Sequence, residues 1–147
     1  MRIIVAVDGS RFSDAAVQFV MAQARPTDEI RVLHVLEPPP LLAVREMSGQ
    51  GSALEKVWES EKKVAHELVE KTTELYRSKG MKVTGSVQDG DAKSTILQAA
   101  KEWRADLIVL GSHGRKGLEH FLMGSVSDAV ARHAGCSVEI VRVGSKH

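Results

Sequence analysis

The sequence predicts a doubly wound three-layer α/β fold with five parallel strands and four helices. Three observations predict it. Short, almost wholly apolar runs such as Ile3 to Val7 and Asp106 to Leu110 have the composition of strands covered on both faces. Segments of helical apolar periodicity separate these runs. The separations are long enough for crossover helices, which parallel neighbours require. At 147 residues and 16.0 kDa, the chain suits one domain, residues 1–147, around one core.

Ile3 to Val7 ends in the turn Asp8-Gly9-Ser10. Phe12, Ala16, Phe19, Val20 and Gln23 then fall at helical spacing, with Ser13 as the N-cap and Pro26 closing the segment. Ile30 to Leu36 reads as strand two, halted by Glu37 and by Pro38 to Pro40, which cannot donate to a sheet ladder. Residues 38 to 51 form a Pro- and Gly-containing loop whose length suits a lid, a partner surface or a tolerated insertion. Ser52-x-x-Glu55 has the form of a capping box. Leu54, Val57, Trp58, Val64, Ala65, Leu68, Val69, Thr72 and Leu75 continue the apolar stripe of a long helix ending at Gly80. The mixed charges between Glu55 and Lys71 read as its solvated face.

Lys82 to Gln88 alternates weakly as strand three, and Ile96, Ala99, Ala100 and Trp103 mark helix three. Asp106 to Leu110 is strand four. Val126, Ala129, Val130 and His133 define helix four, ended by Gly135, and Val138 to Val143 is strand five.

Composition excludes several classes of function. Twenty basic residues against nineteen acidic ones leave a net charge of +1, so no global field attracts nucleic acid or an anionic membrane, and an anion site must be local. The single cysteine, Cys136, forbids an internal disulfide and fits a reducing compartment. The first apolar run is too short for a signal peptide core or a membrane span. These features predict a cytoplasmic protein with neither a membrane nor a nucleic acid as partner.

In a doubly wound sheet, ligands sit outside the carboxyl ends of the strands where the strand order reverses. Two turns stand out there: Asp8-Gly9-Ser10, and residues 111 to 127, "GSHGRKGLEHFLMGSVS". Gly111 and Gly114 let a ligand approach the backbone without Cβ atoms in the way. Gly124-Ser125 opens helix four, whose first turn has unpaired N–H groups and a partial positive charge. Ser125 and Ser127 add hydroxyls, and Arg115 and Lys116 add formal positive charge. Together these make a polyphosphate cradle. The competing reading is structural: the glycines serve the turn alone, and Ser125-x-x-Asp128 is a capping box.

Other chemistries fail on their own requirements. Gly85 to Gly90 has the spacing of a P-loop start, but Asp91 stands where lysine is needed, and no G-x-G-x-x-G occurs. Asp8 follows a strand as an aspartyl-phosphate nucleophile would, yet Ser10 stands where such phosphatases carry a second Asp. His113, His120 and His133 match no common zinc spacing. His113 instead reads as a hydrogen-bond donor at the loop, and His133 as a partly buried helix residue. Cys136 reads as a buried structural thiol, and Gly124 to Asp128 lacks the G-x-S-x-G elbow.

Gly111-x2-Gly114-x9-Gly124-Ser125 resembles the ATP-binding signature of the universal stress protein family. "IIVAVDGS", "VLHVLEP", "ADLIVLGSHGR" and "GSVSDAVARHAGCSV" resemble that family's successive blocks, so the likeness spans the chain. It implies a Rossmann-like fold of the adenine nucleotide alpha hydrolase type, and ATP as the ligand. By this resemblance Asp8 faces the ribose or a metal-bridged phosphate, with Ala6 and Val7 beneath the nucleoside. Val35 presents its backbone to the adenine. Leu110 leads into Gly111, Ser112, His113, Gly114, Arg115 and Lys116, which wrap the phosphates; Gly124, Ser125, Val126 and Ser127 close the cradle. Magnesium or manganese enters with the nucleotide, through phosphate oxygens and Asp8. Ser137 replaces a proline common in the family, and Ala92-Lys93 a frequent Pro-Ala pair, which leaves the cradle intact.

The reading is therefore an ATP-binding regulatory protein rather than an enzyme, because no residue is evident to orient a hydrolytic water, and hydrolysis is expected to be slow or absent. Two alternatives stand beside it. One is a single-stranded RNA-binding module, since Gly111-Ser-His-Gly114 has the G-x-x-G form of KH loops; the other is a scaffold with the site unused. The resemblance also implies a homodimer through strand 138–143, whose edge needs a partner.

Overall fold

The computed structural model describes residues 1–39, 52–114 and 123–143. The element order is β1 (Arg2–Ala6), α1 (Arg11–Gln23), β2 (Glu29–Leu36), α2 (Ser52–Ser78), β3 (Lys82–Asp89), α3 (Ala92–Trp103), β4 (Leu107–Gly111), α4 (Ser125–His133) and β5 (Ser137–Val141). The five strands form one sheet in the order β3-β2-β1-β4-β5, and every pairing is parallel. This is the three-layer fold the alternation of apolar runs and periodic segments predicts.

The apolar runs form strands because both faces of the sheet are covered. On one face, Ile3, Val5, Ile30, Val32 and Val109 pack with Val17 and Val20 of α1 and with Val69 and Tyr76 of α2. On the other, Ile4, Leu33, Ile108 and Leu110 pack with Ile96 and Ala99 of α3 and Val130 of α4. Alternate residues of one strand therefore enter opposite layers, which is why β1 and β4 carry no polar alternation. The β3 edge is more exposed, and its weak pattern follows from that. Leu36, Trp58 and Ala65 form a smaller cluster between β2 and the amino-terminal half of α2.

Several local expectations are corrected. Ser10, not Ser13, caps α1: its Oγ accepts from the Ser13 N–H at 3.1 Å. Ser13 lies inside the helix and is buried. The helix ends at Gln23, with Ala24 as C-cap, ahead of Pro26. Helix α4 ends on Ala134 in an extended conformation, and Gly135 is not among the positive-φ glycines, so no left-handed glycine cap closes it. His133 is exposed rather than partly buried. Cys136 is half-buried at the margin of the α3/α4 core, and burial raises its thiol pKa. In α2, Val57, Val64 and Leu75 lie outside the core, at 55%, 56% and 38% exposure. The loop predicted over 38–51 lies almost wholly outside the described residues, as does the Ser52 side chain of the capping box.

Candidate functional site

The chain winds from β1 to β2 and β3 on one side, then crosses to β4 and β5 on the other. The order reverses between β1 and β4, so the loops leaving these two strands diverge around a cleft at their carboxyl ends. The turn Asp8-Gly9-Ser10 lies there, and so do the described ends of the second turn, residues 111–114 and 123–127.

On the β1 side, the Asp8 carboxylate is held in place by its own turn. Its Oδ1 accepts from the Ser10 N–H at 2.9 Å, while the Asp8 N–H donates to Ser13 Oγ at 3.2 Å. Ser13 Oγ in turn donates to the Ser10 carbonyl. Gly9 takes φ +83°, a left-handed conformation that strains any side chain, and closes the turn beside Leu68. The carboxylate points across the cleft: a Cβ built on Gly114 would lie 3.0 Å from Asp8 Oδ2. The two loops therefore meet at Asp8 and Gly114.

On the β4 side, the end of the strand is stapled to the start of α4. The Ser112 N–H donates to the Val141 carbonyl of β5 at 3.0 Å, and the Ser112 carbonyl accepts from the Gly124 N–H at 2.6 Å. Ser127 Oγ donates to that same carbonyl at 2.8 Å. Gly124 has to be small here, since a Cβ would come 3.1 Å from the Ser112 oxygen. Ser112 Oγ and His113 Nδ1 are 3.0 Å apart, and the His113 ring rests 5.0 Å from that of Phe12.

This staple aims the first turn of α4 at the cleft. Gly124 is the N-cap and, among the described residues, no side chain caps the helix. The Asp128 carboxylate is engaged by Arg132 Nε at 3.1 Å instead, so the capping-box reading of Ser125-x-x-Asp128 fails. Among the described residues, nothing accepts from the N–H groups of Ser125, Val126 and Ser127, or from that of Gly114. Three adjacent donors at a helix start carry about half a positive charge.

The β2 side offers backbone and apolar surface. The β1–β2 ladder ends with the Val7 N–H donating to the Leu33 carbonyl at 2.9 Å. Val35, two residues on, directs its N–H and C=O to the same side, past the end of β1, where no described backbone group pairs with them. The first carbonyl after β1 is taken: Val7 O contacts buried His34 Nδ1 at 2.6 Å. Ala6, Val35 and Val126 are all half-buried at the margin of the α3/α4 core, and supply an apolar wall.

The structure thus brings together Ala6, Asp8, Val35, His113, Gly114, Gly124, Ser125 and Val126, and reassigns several other predicted residues. Val7 and Leu110 are buried, Val7 beneath α1 and Leu110 in the opposite layer, so both support the cleft from behind. Gly111 is needed for packing: a Cβ there would lie 2.5 Å from the carbonyl carbon of Phe12. The Ser112 and Ser127 side chains are buried in the staple rather than open to a ligand. Arg115, Lys116 and His120 lie outside the described residues. Sequence reasoning missed Phe12, Ser13 and Val141, which set the cleft's geometry without facing it; only the short spacing from Asp8 to Ser13 hinted at one of them.

Fold and cleft define a class: a doubly wound α/β domain with a donor-lined opening at its topological switch point. Comparison with known proteins makes it specific. The universal stress protein family profile matches residues 1–142, and the chain belongs to that family. A universal stress protein of Methanocaldococcus jannaschii is 30% identical over 142 residues, covering 96% of this chain and 81% of that one. The solved structure of UspA from Lactobacillus plantarum superposes with a TM-score of 0.81 at 25% identity, covering 97% of each chain. An Arabidopsis thaliana family member solved with AMP bound superposes with a TM-score of 0.68 at 20% identity, covering 99% of this chain and 93% of that one. No helix among the described residues is long and apolar enough to cross a membrane.

Proposed function

We propose that this chain is an ATP-binding regulatory protein of the stress response, holding the nucleotide at the carboxyl ends of β1 and β4, with little or slow hydrolysis. The observation that carries the reading is that the first three amides of α4 and the Gly114 N–H, which meet no acceptor among the described residues, lie at the ends of β1 and β4 with Asp8 on the opposite lip. Amides of this kind suit phosphate oxygens. The Val35 backbone and the Ala6–Val126 wall suit a flat, edge-bonding base, and the AMP held by the Arabidopsis relative supports an adenine nucleotide. Arg115 and Lys116 supply the countercharge in this reading.

A divalent ion fits only as a companion of the phosphates. Among the described residues no group of three or more His, Cys, Asp or Glu side chains could hold a metal, so Asp8 is the one protein carboxylate assigned to magnesium or manganese. The ion would supply charge neutralisation. Asp8 is already fixed by Ser10, which suits it to positioning a ribose hydroxyl or the ion. The RNA reading is weakened because Gly111-Ser-His-Gly114 leaves a strand, whereas a KH loop joins helices.

The proposed homodimer uses β5, an edge of the sheet. Ser112 bonds the Val141 carbonyl, so Glu139 and Val141 face β4 while Val138 and Ile140 direct their backbone outward, towards a second copy.

Nucleotide analysis of the purified protein tests the function. Acid release and chromatography should recover ATP, or its hydrolysis product, from the wild type and little from Gly114→Val. A wild type that carries no nucleotide and gives no calorimetric response to added ATP overturns the reading.

A further inference from the structure

Helix α2 carries a second apolar stripe that the fold leaves uncovered. Trp58, Ala65, Val69, Thr72 and Tyr76 face the sheet and are buried. Beside them Val57, Glu61, Val64, Leu68, Lys71 and Leu75 recur at alternating steps of four and three residues, the spacing of a heptad seam. Four of the six are apolar. Val57, Val64 and Leu75 are exposed, and Leu68 is only partly covered. Three aliphatic side chains on one line, each more than a third exposed, form a patch that core packing does not explain.

The two charged members of the seam specify the occupant. Neither Glu61 nor Lys71 has an ion-pair partner among the described residues, although α2 pairs Glu59 with Lys62 at 3.2 Å and Glu74 with Arg77 at 2.9 Å. Consider a second α2 laid antiparallel about a two-fold axis level with residue 66. Val57 then meets Leu75 of the other copy, Val64 meets Leu68, and Glu61 meets Lys71, each pairing occurring twice by symmetry. The seam is its own complement when reversed. A parallel pair would oppose Glu61 to Glu61 and Lys71 to Lys71, so charge selects the antiparallel arrangement.

We propose that this face of α2 is a self-association surface, through which two copies of the chain form an antiparallel helix pair distinct from the β5 edge. It needs no nucleotide. The solvent-side flank is Ser60, Glu67 and Glu74; Ser60 is small, and Glu74 is already paired with Arg77. Glu67 lies near the axis against its own copy, a rim repulsion in high dielectric that Lys71, one turn on, offsets.

Cysteine cross-linking tests the geometry. In a Cys136→Ser background, Val57→Cys and Leu75→Cys proteins are mixed and oxidised. A disulfide-linked dimer should form in the mixture and not with either protein alone, because two copies of position 57 stand about 27 Å apart in the antiparallel pair, far beyond disulfide reach. Absence of the dimer from the mixture, or equal linkage of Val57→Cys with itself, overturns the proposal. Adding Glu61→Lys to both partners should slow linkage about five- to thirtyfold, and adding Lys71→Glu as well should restore it. Linkage indifferent to Glu61→Lys would remove the charge pairing that sets the direction.

Discussion

Gly111 and Gly114 stand three positions apart and serve different ends. A Cβ on Gly111 would meet the backbone of Phe12 at 2.5 Å, and backbone cannot swing aside; a Cβ on Gly114 would meet only the tip of Asp8 at 3.0 Å. Gly111→Ala should therefore cost about 1–3 kcal/mol by overpacking, read as a lowered urea midpoint, while Gly114→Ala leaves that midpoint unchanged. Tyr76 gives a second test at this scale. Its ring is fully buried and its hydroxyl donates to the Val17 carbonyl at 2.9 Å, tying α2 to α1. Tyr76→Phe should cost about 1 kcal/mol at neutral pH. Burial also raises the phenol's pKa above its ordinary 10.0. A group whose folded pKa is raised gives stability that is whole below the unfolded pKa and is lost as pH rises through the folded one. Above about pH 10 the wild type should therefore lose up to about 1.4 kcal/mol per pH unit relative to Tyr76→Phe. The two stability curves should cross within about one unit of pH 11; parallel curves would show that the phenol titrates equally in both states.

At the scale of elements, α3 shows how a few polar atoms set a helix start. Asp91 accepts from the Ser94 N–H at 3.1 Å and from Ser94 Oγ at 2.8 Å, which lowers its pKa below the usual carboxylate value. Asp91→Ala should cost about 1 kcal/mol. Because the folded pKa is depressed, that contribution is present above the ordinary carboxylate range and fades as pH falls through the lowered value, so variant and wild type converge in acid. The Ala92 N–H, which proline would lack, donates to Glu37 Oε1 at 3.0 Å and ties the end of β2 to α3; this chain thereby puts its departure from the family pattern to use. The elements were legible where one face settles the matter: β1, β2 and β4 read as strands because both their faces are buried. Helix starts were harder, because Ser10 and Ser13 offer the same cap chemistry and only their bonds to Asp8 and to each other decide between them. The α2 stripe was legible as apolar but not as two stripes, since periodicity alone does not say which neighbour each residue meets. The cradle's glycines and helix start were legible from spacing, whereas Gly111's service to Phe12 depends on α1 lying across the end of β4, which no local pattern records.

At the scale of the whole molecule, the β5 edge and the α2 seam lie on different parts of the chain, and each is proposed to pair with its own copy about a two-fold axis. β5 is the last strand on one side of the sheet, whereas α2 packs over β2 and β3 on the other side. One copy can thus engage two neighbours at once. Two distinct isologous contacts per subunit either close as a tetramer of dihedral symmetry or propagate as an open chain. The β5 contact can be removed alone. Ile140 directs its N–H outward, so Ile140→Pro deletes a donor to the second copy while the bonds from Val141 to β4 persist, a setting in which an edge strand tolerates proline. Sedimentation equilibrium of the wild type should give mass above 16.0 kDa. Ile140→Pro should retain only the α2 pair at about 32 kDa, and Val64→Glu only the β5 pair at the same mass, whereas the double variant should sediment as a monomer. A concentration-independent limit near 64 kDa for the wild type marks closure, and mass that climbs steadily with concentration marks the open chain. If Ile140→Pro alone reduces the protein to monomer, β5 is the sole contact and the α2 seam does not associate; if it leaves the wild-type mass unchanged, the edge strand is not the dimer interface.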